Sequence, residues 1–299
     1  MKRFNPHLTI LFSFLYFNTI SQHDTNLGKQ YYDLLNRGNV NYYIKHNLDS
    51  AILCYHHAFS INKPFYQHYF RYAQIWNFEK KYDSVLFYLI KSIEIGCPEI
   101  LYNEIVKDQS FSKSEQAKYL EENLNAHRCK FLLDMNFHFI RFIQTMVGKD
   151  QVIRIIQRKN DKEKYIDFVK EIDKENKAEF LEYFNTHEFP DLRKVDYSTQ
   201  NVLSAFLNHY VILDTNLLFT DPLFQIFKNQ FDRGNLLPHI LAPPVDYNFM
   251  VYKKQIFGTF SAKLVEDSKK VDSLNYEFGI LDIKTRLQIE SIRDKPISN

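Results

Sequence analysis

The sequence predicts an all-α protein in which helical hairpin repeats pack on a second helical domain. Three observations carry this. Apolar residues recur at helical spacing through most of the chain. A stretch of the N-terminal half repeats itself, so that Asp49-Ser50 returns as Asp83-Ser84 within a longer matching series. No segment alternates apolar and polar residues for long; residues 255–260 are the one short piece with an extended pattern. The chain has 299 residues, 45% of them hydrophobic and 25% charged, which suits two domains of about 150 residues with packed cores.

In order along the chain, Lys2 and Arg3 precede an apolar run over residues 8–17, and Thr19 and Ser21 then restore small polar residues. A charged start, an apolar run of about ten residues and small residues near its end make a secretory signal peptide over residues 1–21, with cleavage near Ser21 or Gln22. The run is half the length that a bilayer-spanning helix needs, so the mature chain is expected to have no membrane span. The expected location is the periplasm or the medium.

The formal charge is 38 − 36 = +2, and loss of Lys2 and Arg3 brings it near zero. That removes the electrostatic footprint of a general nucleic-acid binder. There are 7 glycines, each standing alone, so no glycine-rich phosphate cradle exists and no nucleotide cofactor is expected. Cys54, Cys97 and Cys129 are far apart, form no zinc-ligand pattern and read as small buried hydrophobes. His56 and His57 are neighbours, so on a helix they diverge by about 100° and cannot share one ion. No metal site is expected.

The repeat is the clearest signal. Tyr42, Leu48, Asp49, Ser50, Ala51, Ile52, Ala58, Ile61 and Pro64 return as Trp76, Tyr82, Asp83, Ser84, Val85, Leu86, Ser92, Ile95 and Pro98. Asn39 and Ala73 fall where two helices of a hairpin approach closely, and Pro64 stops the second helix. The offset is that of the tetratricopeptide unit, about 34 residues. With this period and these residue classes, residues 28–98 resemble two tetratricopeptide repeats. Residues 99–125 keep helical periodicity in a broken pattern and read as a capping hairpin. Residues 22–127 thus form the repeat region. Two units cannot bury their own faces, so the repeats are expected to pack against the rest of the chain. The resemblance implies either a protein or peptide partner at the repeats or a purely structural role for them.

Residues 128–293 read as a second helical domain. Phe131, Leu132, Met135, Phe139, Phe142, Ile143 and Met146 mark one helix ending near Gly148, after which Asp150 caps a short helix. A long amphipathic helix follows over residues 161–186, then a loop at 187–193 and a nearly apolar helix over 198–213. Asp221-Pro222 opens another helix that Gly234 closes. Residues 238–254 read as helical with an early break at Pro243 and Pro244, and residues 294–299 as a frayed tail.

The polar residues of this half have a recognisable order. Asp150-Gln151-x-x-Arg154, Asp173-x-x-Asn176, Phe189-Pro190, His209, Asp246 after two prolines, and Gln255-x-Phe-Gly258-Thr259 follow one another. The series resembles a bacterial domain of unknown function, number 6624, over residues 131–281. It departs from that family at Glu188, Tyr247 and Phe260. The resemblance supplies no reaction.

Each polar candidate has two readings. His209 lies among apolar neighbours and is either a hydrogen-bonded core histidine or a base lining a pocket. Asp150 and Arg154 are four apart, either a capping or solvated pair or an anion clamp. Asp173 and Asn176 share a helix face and either cap a facing helix end or line the same cleft as Arg154, and Asp246 stands where a helix cap is placed. Gln255, Gly258 and Thr259 suit a tight turn. The sequence therefore predicts an exported protein- or peptide-interaction module. The alternative is an enzyme, with a hydrolase first in line, or a small-ligand receptor. Its catalytic candidates are His209, Asp150 and Asp173, and its ligand-binding candidates Arg154, Gln151, Asn176, Asp246, Gln255 and Thr259.

Overall fold

The computed structural model describes residues 27–159, 162–210, 220–238, 240–241, 275 and 280–293. Among them are eleven α-helices and no strand, so the described part of the chain is all-α as its periodicity predicts. The signal segment, the stretch holding Asp246, Gln255 and Thr259, the extended piece at 255–260 and the tail at 294–299 lie outside the described residues.

Helix α1 (Leu27–Asn39) runs into a π turn (Val40–Ile44) and then reverses into α2 (Leu48–Ile61). The second hairpin is α3 (Tyr66–Phe78) and α4 (Tyr82–Ile93). Helices α2 and α4 begin one repeat period apart, and so stand the left-handed residues that precede them, His46 (φ 52°) and Lys80 (φ 54°). Burial repeats as well: Ala51, Tyr55 and Ala58 are covered, and so are Val85, Leu89 and Ser92. A third pair follows, α5 (Glu99–Val106) and α6 (Glu115–Asp134), bridged by a 3-10 turn at Phe111–Lys113. Helix α6 starts one position short of a further full period after α4. It is capped by Ser114, whose Oγ accepts from Ala117 N at 3.1 Å.

The first hairpin differs from the second by one residue. In the second, Lys81 N closes the turn onto Trp76 O, five residues back; in the first, Asn47 N reaches Asn41 O, six back. The π turn holds the extra residue, so upstream of it the register is longer by one. Gly38, not Asn39, then matches Ala73 as the close-approach position. A Cβ on Gly38 would lie 2.8 Å from the Tyr55 ring, whereas the Asn39 amide oxygen accepts from Tyr55 OH at 2.7 Å. By the same bonds Asn41, not Tyr42, occupies the place of Trp76.

The expected helix from residue 128 to Gly148 is two helices. Helix α6 ends at Asp134, and Asn136 Oδ1 accepts from Phe139 N (3.0 Å) to start α7 (Phe137–Lys159). Gly148 does not end α7. Nothing lies within 4 Å of where its Cβ would be, so it sits on an open face and weakens the helix without breaking it. Asp150 is therefore inside α7 and caps nothing. Helices α8 (Lys162–Thr186), α9 (Tyr197–Tyr210) and α10 (Pro222–Asp232) follow as expected. Asp221 caps α10 by accepting from Leu223 N (2.9 Å) and Phe224 N (3.3 Å), Pro222 is its first residue, and Gly234 (φ 74°) closes it. Helix α11 (Ile283–Arg293) packs on the π turn.

One hydrophobic core joins the two halves. It takes Tyr31, Tyr32 and Leu35 from α1, Tyr55 from α2 and Tyr72 from α3, with Phe139, Phe180, Phe206 and Phe231 from the later helices. A second core lies between α3–α4 and α5–α6, around Phe70, Leu89, Tyr102 and Phe111. The expectation that the repeats pack against the rest of the chain is met in atomic detail. Tyr32 stacks on Phe231 at 5.5 Å, and its hydroxyl donates to Leu236 O at 2.9 Å. Asn62 Nδ2 donates to Gly234 O at 2.6 Å, and Arg193 lies over the Phe65 ring at 5.1 Å. No helix among the described residues is long and apolar enough to cross a membrane.

Candidate functional site

Helices α7 and α8 lie antiparallel, which three contacts register from end to end: His138 with Tyr183 (3.1 Å), Lys149 with Glu179 (2.6 Å) and Arg154 with Asp173 (2.8 Å). The polar candidates of this hairpin converge at its outer half. Arg154 Nε donates to both oxygens of Asp150, at 2.9 and 3.0 Å, and its Nη2 reaches Asp173 Oδ1 at 2.8 Å. Gln151 Nε2 adds a donor to Asp150 Oδ2 at 3.1 Å. Asp150 is only 1% exposed, and a carboxylate so placed must be paired to remain charged. Burial works against the Arg154 charge, but the hydrogen bond it donates to Asp150 and the nearby Asp173 charge outweigh it and raise the guanidinium pKa above its ordinary value.

Asn176 lies one turn along α8 from Asp173 and is 1% exposed; its Nδ2 finds no acceptor among the described residues. Lys177, its neighbour, pairs with Asp221 at the cap of α10. Spacing in the sequence pointed to Asp150, Arg154, Asp173 and Asn176 but missed Lys177 and Asp221. The Asp-Pro signature marked Asp221 as a cap; nothing local marked its partner 44 residues away. Gln200 was missed although its partners are near in sequence, because they are backbone carbonyls that no residue pattern marks. Its buried amide donates to Leu192 O (2.8 Å) and Val195 O (2.9 Å), pinning the turn before α9.

Other candidates fall elsewhere. His209 belongs to α9, and its side chain lies outside the described residues, as do Asp246, Gln255 and Thr259. Phe189 of the aromatic-proline pair is a core contact, stacked on Phe184 at 5.1 Å and edge-on to Phe227. Among the cysteines, Cys54 and Cys97 are buried as expected, and burial pushes the Cys97 thiol up to about 12. Cys129 is exposed, a correction: its side of α6 faces away from the core. No group of three His, Cys, Asp or Glu that could hold a metal occurs among the described residues.

Chemically, the Arg154 cluster is a guanidinium shared by two carboxylates. Its Nε and Nη2 are committed to the two carboxylates, so the guanidinium ties α7 to α8 first and leaves a ligand only its remaining edge and Asn176. No family, no curated protein and no solved structure matches this chain.

Proposed function

We propose that this chain is an exported interaction module built on tetratricopeptide-like repeats, and that it meets its protein partner on the outer faces of α2 and α4. One observation carries the reading. Leu53 is 70% exposed and Phe87 is 54% exposed, and the two occupy the same position in successive repeats. A single exposed apolar side chain needs no explanation, but the same position left exposed on successive units makes a periodic surface of the kind partners cover. The opposite face of the first hairpin supports this choice, because α10 already fills it. Export rests on the charged, apolar and small segments of residues 1–21.

Photo-crosslinkable residues at positions 53 and 87, with the exposed Gln144 on α7 as the control position, test the partner surface in the native cell. The same adduct from 53 and 87 but not 144 supports the reading; no shared adduct contradicts it. N-terminal sequencing tests export, which requires a mature chain starting near residue 22.

The convergence of Arg154, Asp150, Asp173 and Asn176 favours a second reading, an enzyme or small-ligand receptor at that cluster. Under it, Arg154→Lys keeps the fold but abolishes turnover or binding of whichever ester, glycoside or peptide the wild type accepts. Under the interaction reading, Arg154→Lys changes stability alone.

A further inference from the structure

Independently of the α2–α4 surface, a half-open cleft of about 520 Å³ lies between the end of α1 and the residues that lead into α11. Asp33, Asn36, Arg37, Val40 and Asn41 line one wall, at the spacing of a single helix face. Ile280, Leu281 and Asp282 form the other, and Lys45 stands at the end of the π turn. The volume is that of an ordinary small-molecule site.

The charges of this cleft are unevenly used. Asp33 has a cation four residues away on each side, and it pairs with Lys29 rather than Arg37. Asp282 accepts from Thr285 N at 2.9 Å and so caps α11. The side chains of Arg37 and Lys45 have no ion-pair or hydrogen-bond partner among the described residues, yet both residues line the same cleft. The wall is also where the first hairpin departs from the second. Its π turn puts Val40 and Asn41 into the cleft, and the Asn41 amide reaches back to Cys54 Sγ at 3.6 Å. Single π turns inside α-helices concentrate at functional sites, and the second hairpin makes the same reversal without one.

We propose that this cleft binds a small monoanionic carboxylate, held by the Arg37 guanidinium and neutralised by Lys45. The planar fork of Arg37 matches the two oxygens of a carboxylate. Lys29 already neutralises Asp33, so Arg37 and Lys45 are opposed by Asp282 alone; the balance of +1 suits one negative charge and leaves a second charge, as on hydrogen phosphate, uncompensated. Ile280 and Leu281 supply apolar surface for the body of the ligand.

The test is calorimetric titration of the full chain with N-acetylalanine, its uncharged amide and inorganic phosphate at matched ionic strength. Saturable binding of the acid alone is expected, weakened about tenfold or more by Arg37→Gln and less by Lys45→Gln. Both residues are exposed, and their unfolding midpoints serve as the check that the variants fold. No saturable heat from the acid up to about 10 mM overturns the proposal. Equal binding of acid and amide, phosphate binding as tight as the acid, or an Arg37→Gln variant that binds like wild type overturns it too. None of these outcomes bears on the crosslinking at positions 53 and 87, so the two readings fail separately.

Discussion

The two hairpins that share the repeat period have opposite neighbours. The first, α1–α2, is pressed against α10: a Cβ on Gly28 would lie 1.8 Å from Phe231 O, and Tyr32 stacks on the Phe231 ring. The second, α3–α4, packs onward to α5–α6, where Phe70 and Leu89 meet Tyr102, Phe111 and Leu120. The second keeps the regular reversal, and the first carries the π turn and the polar cleft. Identical local signals thus build two units whose surroundings decide their use. The departure from regularity falls at the unit docked on α10; the other continues the array and meets the later helices near the start of α3, through Phe65 and Tyr66.

The contact of the first hairpin with α10 is the place to break. Gly28→Leu drives a side chain into the backbone carbonyl of Phe231, which no rotamer relieves; a loss on the order of 4 kcal/mol is expected in urea unfolding. A loss under about 1 kcal/mol would mean that α10 moves aside without cost. Arg154→Leu sharpens the comparison from outside both hairpins. It leaves Asp150 buried without its main partner, for an expected loss of about 3 kcal/mol. Its effect and that of Gly28→Leu fall on one cooperative transition if the shared core is one unit.

The equivalence of the hairpins is tested by their reversals. His46 and Lys80 both hold positive φ, so glycine at either relieves strain, and each of His46→Gly and Lys80→Gly is expected to stabilise by up to about 1 kcal/mol. A gain at only one site would show that the two turns are not alike. The smallest effect belongs to the second hairpin. Burial works to raise the Glu94 pKa, but Lys130 (2.5 Å) and His127 (2.9 Å), both on α6, outweigh it and hold the carboxyl below its ordinary value. A group whose folded pKa is depressed stabilises above its unfolded value and loses that contribution as pH falls through the folded one. The wild-type melting temperature should therefore fall more steeply below about pH 4.3 than that of Glu94→Gln. Parallel curves would contradict the role of Glu94 in holding α4 to α6.

Much of the fold was legible because its signals are local. Asp221-Pro222 with Gly234 bracketed α10, and the repeat of Asp49-Ser50 as Asp83-Ser84 located α2 and α4. What failed was local too, but ambiguous. Gly148 looks like a helix end in sequence, and only the open space around it lets α7 continue. The Met135-Asn136 break was hidden because apolar spacing runs on across it, and the capping Asn136 reads there as one more polar position between apolar ones. The π turn was invisible, since one inserted residue shifts Gly38 past Asn39 without disturbing the apolar pattern. At the Arg154 cluster, i, i+4 spacing on α7 gave Asp150 and i, i+3 spacing on α8 gave Asn176. The meeting of the two helices, and Lys177 with Asp221, depend on tertiary packing that no spacing encodes.

The account rests on α10 being an integral wall of the repeat region, not a cover laid over it. Native-state hydrogen exchange on the intact chain tests this most directly, by comparing amides in the middle of α1 with amides in the middle of α10. Equal opening free energies, both at the global limit and both lowered together by Gly28→Leu, are the predicted result. Exchange of α10 at a clearly lower opening free energy, with α1 still protected, would contradict it. The inner face of the first hairpin would then be a groove that opens.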